Sequence, residues 1–363
     1  VKDKRKSTTK SPKLAGKPIV AVDLFCGAGG LTRGLLDAGI PVFAGYDIDA
    51  TCKYAYEHNN KGARFYCDSV ANLTFGDFEQ MFQGVETKVL VGCAPCQPFS
   101  KYTQGQNTKE DAKWGLLHEF ARLVNEGLPE IVSMENVPEL MRHEVFQDFV
   151  NSLTQSGYSV SYKEVYCPDY GIPQQRRRLV LLASRLGVIS LRDPDTKRAA
   201  KTVRQTISHL PPLGAGCVSN DRYHRASRLS ELNERRMKHS KPGGCWRDWP
   251  EELVAECHKT EMGKNYPSVY GRMDWDAPSP TITTQFFGYG NGRFGHPEQD
   301  RAISLREGAL LQTFPESYEF APKDQPVVFS HTGKMIGNAV PVMLGEVIGI
   351  SILEHLEAQA STL

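Results

Sequence analysis

"IVAVDLFCGAGGLTRGLLDAG", residues 19–39, starts as a short apolar run, turns on three glycines and continues at helical spacing. Residues 19–25 read as a buried strand and residues 29–39 as a helix. Gly27, Gly29 and Gly30 let the backbone turn tightly and come close to a ligand. A strand that feeds a helix through such a turn is either a plain tight turn or the opening unit of a doubly wound sheet with a nucleotide-like cofactor over it. About 20 residues on, where an acid can hold both ribose hydroxyls, stands Asp47, at the end of a second apolar run, "PVFAGYDID" (41–49). Asp68 follows "ARFYC" at the end of a third candidate strand, where an adenine edge could be bound. The turn lacks the full dinucleotide fingerprint and no Lys-Ser/Thr pair follows it, which disfavours NAD and nucleoside triphosphates.

Further along, "VLVGC" (89–93), "EIVSMENV" (130–137) and "RLVLLAS" (178–184) also read as buried strands, and residues 116–127 as a helix. This alternation predicts an α/β fold: a doubly wound, mainly parallel sheet with helices on both faces. After about residue 187 the chain turns rich in Arg, Ser, Pro and Gly and loses apolar periodicity. Residues 188–324 are therefore expected to form a smaller domain. Residues 17–187 and 325–363 are expected to form the larger one, with 339–359 helical and packed back onto it. Residues 1–16 are expected to be a disordered basic tail.

The 363 residues are 40% hydrophobic and 23% charged, the balance of a soluble globular protein. No run of 18 apolar residues marks a membrane span, and the basic N-terminus lacks the apolar core of a signal peptide. Nine cysteines without framework spacing point to a reducing compartment, so a cytoplasmic location is expected. Net charge is only +1, but residues 192–247 hold 13 Lys and Arg against 5 Asp and Glu. Such a basic block suits a polyanion such as nucleic acid.

"VGCAPCQPFS" (91–100) raises three possibilities: a redox dithiol, half a zinc site, or a nucleophile beside an inert neighbour. No second Cys-x-x-Cys exists, and Cys217, Cys245, Cys257 and His258 are poorly spaced as ligands, so no metal is expected. Two prolines hold the loop extended around Cys96 at a strand's C-terminal end, where doubly wound sheets bind ligands. "MENVPEL" (134–140) places Glu135 and Asn136 at another strand end, where a buried acid can donate a proton; the alternative is a Glu capping the next helix. In "GIPQQRRRLV" (171–180), strand alternation sends Arg176 and Arg178 to one face and Arg177 to the other.

"DLFCGAGGL", "GCAPCQPFS", "ENV", "QRRR", "RMDWDAPSPTITT" (272–284) and "IGNAVP" (336–341) stand in the order found in the DNA (cytosine-5) methyltransferases, which this chain resembles over residues 19–186 and about 270–350. The resemblance implies the S-adenosylmethionine-dependent methyltransferase fold. It makes Cys96 the nucleophile and Cys93 a bystander. It assigns Glu135 to cytosine ring nitrogen 3, and Arg178 with Arg176 to the cytosine carbonyl oxygen and the Cys loop. It implies S-adenosylmethionine as methyl donor, lined by Phe25, Gly27, Gly29, Asp47, Asp68, Pro95 and Leu116, with Asn338 and Ala339 closing the pocket. Asp47 stands where the family more often has Glu. The segment between the arginines and "SPTITT" is where this family carries its target-recognition domain, the same segment that charge singled out. The implied substrate is double-stranded DNA with the target base flipped out; the polar, Gly-containing residues 97–113 fit either a mobile loop that closes over that base or an ordinary surface loop.

The expected enzyme is a monomeric DNA cytosine-5 methyltransferase of prokaryotic type. Possible partners are cognate restriction or defence proteins. Alternatives are a tRNA cytosine-5 methyltransferase, whose Cys-Phe-Thr signature is missing here, a catalytically inactive DNA-binding homologue, and a nicotinamide oxidoreductase.

Overall fold

The computed structural model describes residues 18–95, 115–195 and 200–361. The expected N-terminal tail, Cys96 and the expected loop at 97–113 lie outside the described residues.

Seven strands form one twisted sheet: β1 (Ile19–Leu24), β2 (Val42–Asp47), β3 (Arg64–Cys67), β4 (Thr87–Gly92), β5 (Ile131–Asn136), β6 (Ser159–Tyr166) and β8 (Arg177–Ser184). A two-residue strand, β7 (Gln174–Gln175), precedes β8. The sheet order is β3-β2-β1-β4-β5-β8-β6. The first five strands are parallel, and β8 runs antiparallel to both β5 and β6. The expected mainly parallel, doubly wound sheet is what the structure shows. Strand order reverses between β1 and β4, so the carboxyl ends of these two strands open a crevice.

Side chains alternate between two cores. Ala21, Val42, Val89, Ile131 and Leu182 face one side with α1 (Gly30–Ala38). Val22, Ala44, Leu90, Val132 and Leu181 face the other, against α3 (Gly115–Gly127) and α4 (Glu144–Gln155). A short α2 (Lys53–Asn59) links β2 to β3. Gly39, in the left-handed region, ends α1 by donating to the carbonyls of Leu35 and Leu36.

Residues 200–300 add nothing to the large sheet. They form short helices: α5 (Val203–Ile207) packs into the core that holds α1, while α6 (Glu231–His239) and α7 (Glu256–Lys259) surround a separate cluster of Met237, Trp246, Trp249, Leu253 and Tyr289. β9 (Ser279–Pro280) pairs in parallel with β7 in a separate two-stranded sheet, which ties this region to the segment just before β8. α8 (Leu305–Leu311), with Phe314, Tyr318 and Phe320, joins the core that holds α1. There the Tyr318 hydroxyl donates to the Ala28 carbonyl at 2.5 Å.

The helix expected over 339–359 is present as α10 (Val342–Ala360) and packs onto the larger core; α9 (Phe329–Asn338) precedes it, with Ala339 extended between them. Pro341 supplies no backbone donor and pushes the residue before it out of the helical region. α10 lies almost in backbone contact with α1. A Cβ on Gly34 would meet the Val342 carbonyl at 2.3 Å, and one on Gly349 would meet Ala38 Cβ at 2.6 Å. Residues 329–360 are apolar enough to cross a membrane by composition, but most of that stretch is buried in the protein.

Candidate active site

The Gly-rich turn leaves β1 with Phe25, Gly27 and Gly29 all at positive φ (59°, 51° and 88°). Asp47, at the end of β2, holds it. One carboxylate oxygen accepts from Gly27 N at 2.9 Å, and the other from Asp49 N at 2.8 Å. Burial pushes the Asp47 carboxyl up, and those two amides hold it down in part. A Cβ on Gly27 would meet nothing within 4 Å, whereas one on Gly29 would lie 2.4 Å from Asn60 Nδ2. Gly27 therefore presents bare backbone to open space, and Gly29 lets the turn back onto α2.

Ala339 borders the same turn: a Cβ on Gly30 would lie 3.3 Å from the Ala339 Cβ. Lys334 of α9 reaches Asp49 at 2.7 Å. Asp68 is exposed beyond β3, its carboxylate accepting from Ser69 N and Asn72 Nδ2. Pro95 and Leu116 are half-buried, and Asn338 is exposed. An open backbone turn, an acid already aimed at it and an exposed Ile48 beside that acid fit a nucleoside-bearing cofactor.

Beneath the turn lies Asp23, which is 1% exposed. Its Oδ2 accepts from Thr32 Oγ1 at 2.7 Å, and its Oδ1 has no hydrogen-bond partner. Burial, with Asp47 adding to it, raises the Asp23 carboxyl to about 7.

The second half of the site lies at the ends of β4, β5 and β8. Register opposes Gly92 to Met134 and Glu135 to Val180, so the next residues converge. Glu135 is 2% exposed; one of its oxygens accepts a hydrogen bond and the other makes an ion pair without one. Arg178 Nε lies 2.9 Å from Oε1 as an ion pair, and Cys93 Sγ donates to Oε2 at 2.8 Å. Asn136 Nδ2 donates to the Ala94 carbonyl at 3.0 Å and anchors the chain that leads to Cys96. The next helix is capped at Val137, so Glu135 is not a helix cap.

The three arginines part as alternation requires. Arg177 is exposed, pairs with Glu164 at 2.8 Å and lies over the Tyr166 ring. Arg176 is buried, and burial beside Arg178 lowers its guanidinium to about 10. It turns inward to the carbonyls of Ile282 and Ala339. Of the pair expected at the base, Arg178 alone makes the ion pair with Glu135, while Arg176 braces the region behind it.

The model of the C-5 cytosine-specific DNA methylase family matches residues 19–354. The chain belongs to this family. A relative named Type II methylase M.HgiDII, from Herpetosiphon aurantiacus, is 56% identical to this methylase over 93% of the chain and 95% of its own length. The Type II methyltransferase M.Eco47II of Escherichia coli is 28% identical over 95% of the chain and 81% of its own length. Among solved structures, a prophage-encoded E. coli protein assigned as a DNA modification methyltransferase superposes with TM-score 0.71 at 22% identity. It covers 93% of this chain and 99% of its own. The methylase is thus a DNA cytosine-5 methyltransferase with a methyltransferase fold.

The Cys93 thiol was not legible as a partner of Glu135, because only the register of β4 against β5 brings them together. No group of three potential ligands forms a metal site among the described residues.

Proposed function

We propose that the methylase uses S-adenosylmethionine to methylate carbon 5 of one cytosine within a particular duplex DNA sequence, through attack of Cys96 on carbon 6 of a base turned out of the helix. The observation that carries this reading is the doubly held Glu135 carboxylate, on a strand end whose Asn136 anchors the loop leading to Cys96.

Carbon 5 of cytosine is a poor nucleophile. Adding a thiolate to carbon 6 converts the ring to an enamine and activates carbon 5. An unperturbed thiol is only a few per cent ionised near pH 7, so its proton must be removed during attack or before it. Glu135 faces ring nitrogen 3 and stabilises the adduct; a positioned group of this kind contributes about 10²–10⁴ in rate. Arg178 holds the Glu135 carboxylate and faces the cytosine carbonyl oxygen. Gly27 and Asp47 hold the nucleoside part of the cofactor, with Phe25, Gly29, Asp68, Pro95 and Leu116 around it and Asn338 and Ala339 on its far side. When bound, S-adenosylmethionine supplies an electrophilic methyl group.

Within residues 188–324, the part with the separate cluster, about 229–270, supplies target recognition, while 305–320 pack in the core that holds α1 and, with 17–187 and 325–363, carry catalysis. The exposed Arg204 stacks over Trp275 and is paired with both oxygens of Asp276 at 2.8 and 3.0 Å, a partner it would exchange to meet a phosphate. The Type II names of the relatives support a modification role beside a restriction enzyme.

The test is a duplex carrying 5-fluorocytosine at the target, identified by sequencing DNA methylated in a methylation-free host. Fluorine cannot leave as a cation, so a denaturation-resistant complex should accumulate with S-adenosylmethionine. Cys96→Ser should abolish it. A cross-link mapped to any other residue overturns the mechanism.

A further inference from the structure

Gln174 and Gln312 are fully buried and face each other. Gln174 Nε2 donates to Gln312 Oε1 at 2.9 Å and to the Leu311 carbonyl at 3.1 Å. Gln174 Oε1 accepts from Ile282 N at 2.9 Å and lies 3.4 Å from an Arg176 Nη1 donor. Gln312 Nε2 donates to the Ile336 carbonyl at 2.7 Å, with the Ala339 carbonyl at 3.3 Å. Arg176 spans the same junction, reaching the Ile282 carbonyl at 3.2 Å and the Ala339 carbonyl at 3.4 Å.

Four stretches of chain therefore meet at one buried polar junction: 174–178, 279–284, 311–312 and 336–339. Steric contact reinforces it. A Cβ on Gly337 would lie 2.4 Å from backbone atoms of Thr283 and Thr284, so the end of α9 rests directly on that stretch. One end of the junction is the cofactor wall at Asn338 and Ala339. The other continues through Arg176 to Arg178 on Glu135. Both amides are satisfied at each end, and in a low-dielectric interior a broken bond leaves a buried polar group unpaired. Displacing residues 336–339 must then displace Ile282 or Arg176 as well.

We propose that the Gln174–Gln312 amide pair is a positioning device that couples the cofactor wall at 336–339 to the base-binding arginine segment 176–178. This rests on the functional reading above. Filling the cofactor site fixes the Ala339 carbonyl, and with it Arg176 and the approach of Arg178 to the base. By linkage, DNA should tighten the cofactor by the same factor.

The test uses the full chain, S-adenosylhomocysteine as probe and the methylated duplex found above. In the wild type the probe should tighten DNA binding by about fivefold or more. Gln312→Met keeps the side-chain length but removes the amide. In that variant the effect should fall towards onefold, while probe affinity without DNA stays within about threefold of wild type. A folded Gln312→Met protein with the wild-type coupling overturns the proposal. Should the variant not fold, hydrogen exchange on the wild type decides. The probe should slow exchange of the Ile282 amide, and unchanged exchange there overturns the proposal. If the wild type binds no probe, the functional reading falls and takes this proposal with it. If it binds the probe and neither coupling nor exchange responds, the proposal alone falls.

Discussion

Replacing Asp23 by Asn should remove a pH-dependent loss of stability that the wild-type protein carries at neutral pH. Asp23 is buried under the Gly-rich turn with one oxygen on Thr32 and the other unpartnered. Its folded-state value is raised to about 7 from 3.8. Below both values the carboxyl is protonated in the folded and unfolded chain and pH has no effect. Between them only the unfolded chain ionises, so stability falls as pH rises. Above 7 the loss is complete, at about 4 kcal/mol. About 2.5 kcal/mol of it develops between pH 5 and 8. For a chain of 363 residues that corresponds to about 3 °C in melting temperature. Asparagine keeps an acceptor for Thr32 but places an amide N–H where no acceptor lies, at a cost of about 1–3 kcal/mol at every pH. The difference between pH 5 and pH 8 is therefore the quantity to measure, by calorimetry on both proteins. The wild type should lose more stability than Asp23→Asn over that interval. Equal slopes would refute the assignment of the loss to Asp23.

Two further outcomes follow from the same geometry. Cys93→Ala removes the thiol donor to Glu135 and should lower kcat by about three- to tenfold, the worth of one hydrogen bond, with KM for DNA little changed; Cys93→Ser, which keeps a donor, should recover most of it. Glu307 is clamped by Arg301, whose hydrogen bonds and charge offset burial and hold the carboxyl down at about 2. Both partners are buried, so Glu307→Gln leaves an uncompensated guanidinium and should cost about 3–5 kcal/mol in urea unfolding at pH 7. A cost below about 1 kcal/mol would place the pair among surface-like ones.

The strands buried on both faces were legible, because β1, β4, β5 and β8 have no solvent side to interrupt their apolar runs. β6 was not. It lies at the sheet edge, and Lys163 and Glu164 break its pattern. The long helix α10 was legible from its apolar spacing, whereas the shorter α9 before it was not. At the site, Glu135 and Arg178 stand on strand ends that the spacing identifies, and the structure brings them together. What spacing does not encode is lateral register. Cys93 meets Glu135, and Gln174 meets Gln312, only once strands and segments far apart in the chain are docked.

The near-contact of α1 with α10 sets a clock on synthesis. Gly34 emerges from the ribosome more than 300 residues before Gly345, whose backbone it must touch. At about 5–20 residues per second, the nascent chain waits roughly 15–60 s with the first helix uncovered. During that interval the glycine face of α1 is open to any other helix that can reach it. Closure of the sheet's flank is therefore a late event in the birth of the protein, governed by the speed of translation as much as by the speed of folding.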